Sequence, residues 1–406
     1  MTERLDGARI LIYSHDSFGL GHLRRCRAIA HDLVDRYKGL SVLILSGSPI
    51  IGSFDFRARV DFVRIPGVIK LHNGEYTSLG LHIDLDDTLA LRSSIIRHTA
   101  DMFSPDLFLV DKEPVGLRGE VGETLAMLKG RGVHNVLGLR DVMDAPRELR
   151  EEWERKKAMP ALRDLYSEIW IYGVPLMGDT LKGIDVPAEV RDKTIYTGYL
   201  PRYVPHDASL TQPISLDKPY ILVTAGGGGD GATMIDWIIR AYEHDAGLDQ
   251  KAVIVLGPFM SASDQHEFRK RIARLDNVTV LTFESHIEVL MLHADSIVAM
   301  GGYNTFCEIL SLNKRALLVP RSTPRKEQLI RARHAQELGL VKMLDGDGPR
   351  DWKTMAVALR RLPDQPLPSE ANIGGILDGL TTVHQRVKHL LEREYSPTSM
   401  VAQRAT

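Results

Sequence analysis

The stretch SIVAMGGYNTFCEILSLNKRALLVP, residues 296–320, sets the reading of the whole chain. The apolar run Ile297 to Met300 has the length of a buried strand, Gly301 and Gly302 permit a sharp turn, and Thr305 can open a helix with Glu308 on its first turn. A strand, a glycine turn and a helix N-terminus present unpaired backbone N–H groups at the positive end of a helix dipole, which suits phosphate. An acid one turn on would repel phosphate but accept hydrogen bonds from ribose hydroxyls. The same pattern also fits an ordinary α/β turn with a surface glutamate.

The following strand, Ala316 to Val319, leads into PRSTPRKEQLIRARHAQELG, where Glu327 and Gln328 stand at the expected start of a helix. Gly302-Tyr303-Asn304-Thr305-x-x-Glu308, then Pro320 and Glu327-Gln328, resembles the nucleotide-sugar signature of GT-B glycosyltransferases. Nearest in pattern are the peptidoglycan N-acetylglucosaminyltransferase that makes lipid II (family 28 type) and the UDP-glycosyltransferases of small-molecule metabolism. The resemblance implies that Gly301, Gly302, Tyr303, Asn304 and Thr305 hold the diphosphate, that Glu308 binds ribose, and that Glu327 and Gln328 bind sugar hydroxyls. It covers most of the second half of the chain.

At 406 residues the chain exceeds what one core usually supports, so two domains are expected. Net charge is −2 with acids and bases interspersed, which argues against nucleic acid as a partner. The apolar runs are of strand length and the N-terminus is polar, so neither a spanning helix nor a signal peptide is expected, and the location would be cytoplasmic. Peripheral membrane contact stays open. Cys26 and Cys307 lie far apart on separate expected helices and read as small core residues.

Strands are expected at 8–13, 41–46, 60–65, 106–111, 135–139 and 168–172, with helices near 22–37, 86–103, 118–130 and 147–165. Runs apolar on both faces and separated by helices mean a parallel sheet covered on both sides. Residues 199–218, rich in Pro and polar side chains, read as an interdomain connection. A second alternating series then begins at PYILVT. The resulting expectation is an α/β chain of two doubly wound Rossmann-like domains facing across a cleft, 1–200 and 215–375. The GT-B resemblance implies that the last helix, 376–394, returns to the first domain; a helix finishing the second domain is the alternative. The final segment SPTSMVAQRAT reads as a loose tail.

After the first strand comes Ser14-His15-Asp16-Ser17-Phe18-Gly19-Leu20-Gly21-His22-Leu23-Arg24-Arg25-Cys26. His22 falls near a helix start, where the dipole favours the neutral imidazole needed to take a proton from a hydroxyl. Leu23, Cys26, Ala30 and Leu33 mark a buried face, leaving Arg24 and Arg25 on other faces. The loop resembles the acceptor-site loop of the lipid-II-forming enzyme, and Gly21 within it is a candidate donor-binding residue. Gly19-x-Gly21-His22-x-x-Arg25-Cys26 also matches the UDP-sugar hydrolases of pseudaminic acid synthesis, which implies that a histidine can assist water here. His15 is the competing base, because plant-type UDP-glycosyltransferases carry theirs just past the first strand. Asp111 ends a strand and can orient a histidine, or be a solvated strand-end acid. Lys112, Glu113, Arg140 and Asp141 also follow strands and can shape an acceptor pocket.

The second domain opens with Gly226-Gly227-Gly228-Gly229-Asp230-Gly231 after a strand, five glycines among six residues, permitting close approach to phosphate. It lacks the Lys-Ser/Thr of a Walker A loop. The resemblance places donor contacts here and puts base-binding backbone near Phe283, with His286 and Ile287 beside it. Two positions depart from the pattern: Met300 stands where plant-type enzymes have histidine, and Glu327-Gln328 where the lipid-II-forming enzyme has Gln-Gln. No Asp-x-Asp cluster stands at a strand end; Asp84-Leu85-Asp86 reads as a helix start.

The sequence thus leads to an inverting, metal-independent glycosyltransferase, moving a hexosyl or N-acetylhexosaminyl group from a nucleoside-diphosphate sugar, UDP by resemblance, to a glycan, lipid-linked or small-molecule acceptor, with no cofactor. A nucleotide-sugar hydrolase or epimerase on the same fold is the alternative, and a nucleotide-sugar-binding or assembly protein is the non-enzymatic one.

Overall fold

The computed structural model describes residues 3–16, 21–70, 76–203, 219–227, 229–284 and 286–392. The chain divides into two compact units, 1–200 with 378–406, and 201–377. Most of the expected interdomain connection, Gly19 and Leu20 of the first loop, Gly228 and the SPTSMVAQRAT tail lie outside the described residues.

The first unit holds a seven-stranded parallel sheet: β1 (Arg9–Ser14), β2 (Ser41–Ser46), β3 (Val60–Arg64), β4 (Leu107–Asp111), β5 (His134–Arg140), β6 (Glu168–Tyr172) and β7 (Thr194–Tyr196). The spatial order is β3-β2-β1-β4-β5-β6-β7, with Ile10 beside both Val42 and Leu107. Ile10, Leu11, Ile12, Leu107, Phe108, Leu109 and Val110 are all buried, which is why these strands read as continuous apolar runs. The chain leaves β1 in one direction and resumes on its other side at β4, so the β1 and β4 carboxyl ends flank a topological switch point.

Helix α1 (Gly21–Arg36) follows β1, and α2 (Leu85–Phe103) is capped by Asp84, whose carboxylate accepts from Asp87 N at 2.8 Å. Helix α3 (Gly122–Gly130) starts later than the expected 118, after a short 3₁₀ turn at Leu117–Gly119. The single helix expected over 147–165 is two, α4 (Pro146–Arg155) and α5 (Ala158–Leu165). Lys157 between them is left-handed, with φ 49°, which interrupts the helical hydrogen-bond ladder.

The second unit repeats the order with β8 (Tyr220–Thr224), β9 (Lys251–Val255), β10 (Val278–Leu281), β11 (Ser296–Ala299), β12 (Arg315–Leu318) and β13 (Lys342–Met343), arranged β10-β9-β8-β11-β12-β13. Its switch point lies between β8 and β11. Trp237, Ile238, Phe268, Met355 and Leu359 from the covering helices pack with Val223, Ile254 and Val298 of the sheet.

A last helix, α6 (Gly379–Glu392), belongs to the first unit. Tyr37 Oη donates to His384 O at 3.0 Å, His384 pairs with Asp32, and Arg386 pairs with Glu168. No helix among the described residues is long and apolar enough to cross a membrane.

Candidate functional site

In the first unit the adjacent ends of β1 and β4 bring together residues 89 positions apart: His22 Nδ1 lies 2.5 Å from Asp111 Oδ2. The Asp111 side chain is 1% exposed and that of His22 is 21% exposed, so the carboxylate is sealed behind an imidazole that reaches the surface. Asp16 anchors the start of α1, accepting from Leu23 N at 3.2 Å and from the Ser14 and Ser46 hydroxyls, each at 2.6 Å. That carboxylate complements the positive end of the helix.

Arg25 corrects the sequence expectation that it faces away from the core: its side chain is 2% exposed. The buried stripe of α1 is wider than Leu23, Cys26, Ala30 and Leu33, including Ile29 and Arg25 one turn before it. Arg25 Nε donates to Asp111 Oδ1 at 2.8 Å and Nη2 to Oδ2 at 2.6 Å, a two-point clamp. Burial alone would raise the Asp111 pKa; the Arg25 guanidinium and His22 outweigh it and hold the carboxyl well below the usual carboxylate range.

An ionised carboxylate only accepts, so His22 Nδ1–H is the donor and its Nε2 carries the lone pair. Burial pushes the His22 pKa down, Asp111 opposes this, and Arg25 and Lys112 add to the lowering; the imidazole is neutral at pH 7.

His15 is more deeply buried, 7% exposed, with its ring 5.7 Å from that of His22. Its Nδ1 is 3.2 Å from Tyr13 Oη. Tyr13 donates to Glu120, which Arg92 clamps at 2.6 and 2.7 Å. Tyr13 has one hydroxyl proton and gives it to Glu120, so its oxygen accepts from His15 Nδ1–H. Burial, supplemented by Lys112, His22 and Lys156 and opposed by Glu113, pushes the His15 pKa down to about 3. Such an imidazole accepts a hydrogen bond but takes up a proton poorly.

Around these histidines Glu113 pairs with Lys112 at 3.1 Å and with Lys156, from the break after α4, at 2.5 Å. Lys112 holds a left-handed backbone, φ 69°, with its N–H donating to Gly138 O at 2.7 Å. Asp141 accepts from Tyr199 Oη at 2.7 Å. The structure places Arg140 at the end of β5.

The second unit has its own pocket, of about 200 Å³, at the β8–β11 switch point. Gly226, Gly227, Gly229 and Asp230 line one side; Met300, Gly302, Thr305 and Gln328 line the other. Gly226 and Gly301 have φ of 63° and 80°, a region that glycine enters without strain. Helix α7 (Tyr303–Ser311) starts two residues earlier than expected, capped by Gly302, which corrects the placing of Glu308: it lies on the second turn and is 2% exposed. Tyr303 is buried against the Arg331 guanidinium, 5.7 Å from the ring centre, and Arg331 donates to Gly301 O at 3.0 Å. Asn304 accepts from Arg202 Nη2 at 2.8 Å.

Glu327 and Gln328 open helix α8 (Glu327–Glu337) and diverge in role. Gln328 lines the pocket and accepts from Arg321 N at 3.3 Å. Glu327, 5% exposed, accepts from Arg321 Nη2 at 3.1 Å. Phe283 is 53% exposed and outside the pocket lining. The sequence reading missed Arg25, Arg321 and the Tyr13–Glu120–Arg92 chain. A charged residue within an apolar helical stripe was the available signal for Arg25; Arg321 had none beyond standing after Pro320.

Residues 220–346 match the Glycosyltransferase family 28 C-terminal domain, within the second unit. No curated protein matches the chain by sequence. Solved structures that it resembles include the glycotransferase of kitacinnamycin (16% identity, TM-score 0.65, covering 96% of this chain and 99% of that one). The glycosyltransferase VinC in complex with dTDP aligns at 17% identity and TM-score 0.62, over 95% and 100% of the chains. MurG of Acinetobacter baumannii aligns at 14% and 0.58, over 95% and 99%. The fold is therefore that of the GT-B glycosyltransferases, as the sequence pattern implied.

Proposed function

We propose that the chain is an inverting glycosyltransferase in which the second unit binds a nucleoside-diphosphate sugar, UDP-linked by its signature, and His22 of the first unit is the base. The observation that carries the catalytic part is the Asp111 carboxylate against His22 Nδ1, with Nε2 left to accept a proton. Asp111 fixes the tautomer and stabilises the imidazolium, whereas the ring of His15 bonds the Tyr13 hydroxyl and burial pushes its pKa down to about 3. His22 Nε2 removes the acceptor hydroxyl proton, the oxygen attacks the anomeric carbon from the face opposite the diphosphate, and the anomeric C–O bond breaks. The glycine turns and the N-terminus of α7 receive the negative charge that develops on the departing diphosphate, without a metal. Two solved structures of this fold, VinC in complex with dTDP and a Siraitia grosvenorii transferase in complex with UDP, support a nucleoside-diphosphate ligand.

Pure protein incubated with UDP-, dTDP- and GDP-sugars, with and without lipid extract, tests this reading. Release of nucleotide that depends on acceptor is expected. Release of free sugar and nucleotide into water alone replaces transfer with hydrolysis, for which Gly19-x-Gly21-His22-x-x-Arg25-Cys26 is the sequence support, and interconversion of the free or nucleotide-linked sugar replaces it with epimerisation. Calorimetry with UDP checks the donor; tighter binding of GDP or dTDP overturns the uracil assignment.

A further inference from the structure

The described lining of the second-unit pocket contains one charged residue, and it is an acid, Asp230. A carboxylate there repels a diphosphate unless a cation neutralises it. Arg321, in the loop after β12, supplies one: its Nε lies 2.9 Å from Asp230 Oδ2. That contact is an ion pair without a hydrogen bond, Nε being a buried donor that lacks a hydrogen-bond partner among the described residues, while Nη1 and Nη2 of the same guanidinium are anchored elsewhere. Nη2 reaches Glu327 Oε1 at 3.1 Å, and Nη1 reaches the Thr323 and Arg325 carbonyls at 3.4 and 3.2 Å.

The two acids differ in accessibility. The Glu327 side chain is 6% exposed at the start of a helix, whereas that of Asp230 is 57% exposed and sits in a glycine loop. Solvent around the half-exposed Asp230 screens its ion pair, so the Asp230 arm exchanges readily while the Glu327 arm and the carbonyls keep the guanidinium in place. A guanidinium fixed in this way keeps its Nε–H for a phosphate oxygen.

We propose that Arg321 is the donor-diphosphate ligand of this pocket and that Asp230 is its exchangeable counter-ion, yielding the guanidinium when the diphosphate enters. This rests on the nucleotide-sugar reading given above and assigns the charge that binds the anion, in a pocket whose lining has Met300 just past the end of β11 and no cationic side chain among the described residues. Asp230 thereby also discriminates against weakly charged ligands, which cannot replace it on Arg321.

Calorimetric titration of the full chain with UDP, dTDP and uridine tests the assignment. Arg321→Gln should weaken UDP and dTDP binding roughly tenfold or more while leaving uridine binding unchanged, as for the loss of a charge-assisted hydrogen bond. Asp230→Asn, at an exposed position, should tighten UDP roughly two- to fivefold, with less gain at high salt. The second variant reads in the opposite direction, so a folding defect in the first cannot imitate the result. Wild type that binds neither diphosphate overturns the donor reading together with this inference. Wild type that binds UDP, with unchanged affinity in Arg321→Gln or weakened affinity in Asp230→Asn, overturns the assignment of Arg321 and Asp230 alone.

Discussion

Arg25 and Asp111 meet through both carboxylate oxygens, Nε to Oδ1 at 2.8 Å and Nη2 to Oδ2 at 2.6 Å, so the acid behind His22 is already neutralised by a buried cation. Asp111 therefore orients His22 strongly while stabilising its protonated form less than an unpaired carboxylate would. The pair holds the imidazole in one orientation, and the Arg25 charge adds to the lowering of its pKa.

His22→Ala should lower kcat by roughly 10² to 10⁴, the contribution of a positioned general base, with UDP affinity nearly unchanged. Asp111→Asn should share the rate loss. Steady-state kinetics with parallel calorimetry checks this: loss of nucleotide binding in His22→Ala would make the residue a ligand, and full turnover in that variant with none in His15→Ala would move the base to His15. Near-additive losses in the double mutant would mean that His22 and Asp111 act independently.

Replacing Arg25 by Met should raise the proton affinity of His22, because the carboxylate then has the imidazole as its main counter-charge, with Lys112 and His15 unchanged nearby. The acid limb of the kcat/KM–pH profile should move to higher pH. Leaving Asp111 buried without its clamp should also cost about 3–5 kcal/mol of stability. Denaturant unfolding reads the stability, and a profile identical to wild type would remove the electrostatic role of Arg25.

His15, with its pKa pushed down to about 3 in the folded chain, makes stability fall as pH drops. Below its unfolded value near 6.5 the unfolded state binds a proton that the folded state refuses, so ΔG of unfolding declines by about 1.4 kcal/mol per pH unit down to the folded value. His22, also lowered, adds in the same direction. His15→Gln should flatten this slope between pH 6 and about 4 in urea titrations; an unaltered slope would mean that His15 protonates freely in the native state.

Nitrogen-15 NMR of His15 should show the Nδ1–H tautomer, since Tyr13 spends its proton on Glu120. Tyr13→Phe should release that preference. An Nε2–H signal in wild type would reverse the direction of the Tyr13–His15 bond.

Turnover should survive EDTA. Loss of activity that magnesium or manganese restores would require a metal in place of the helix N-terminus for the leaving diphosphate.

The sequence by itself determined the α/β class and the glycine turns at 226–231 and 301–302, because local backbone demands and apolar runs buried on both faces are written in consecutive residues. It also placed His22 near a helix start and Asp111 at a strand end, where they stand. Only the tertiary structure decided what those residues touch. Strand order brings the ends of β1 and β4 side by side, so a carboxylate 89 positions away meets the first turn of α1. The width of the buried helix stripe, set by the sheet beneath it, turned Arg25 inward, and the path of the loop after β12 brought Arg321 to Asp230. Glu308 was misplaced for the same reason: sequence spacing locates a helix to within a turn, whereas burial depends on where that helix starts and on what packs against it.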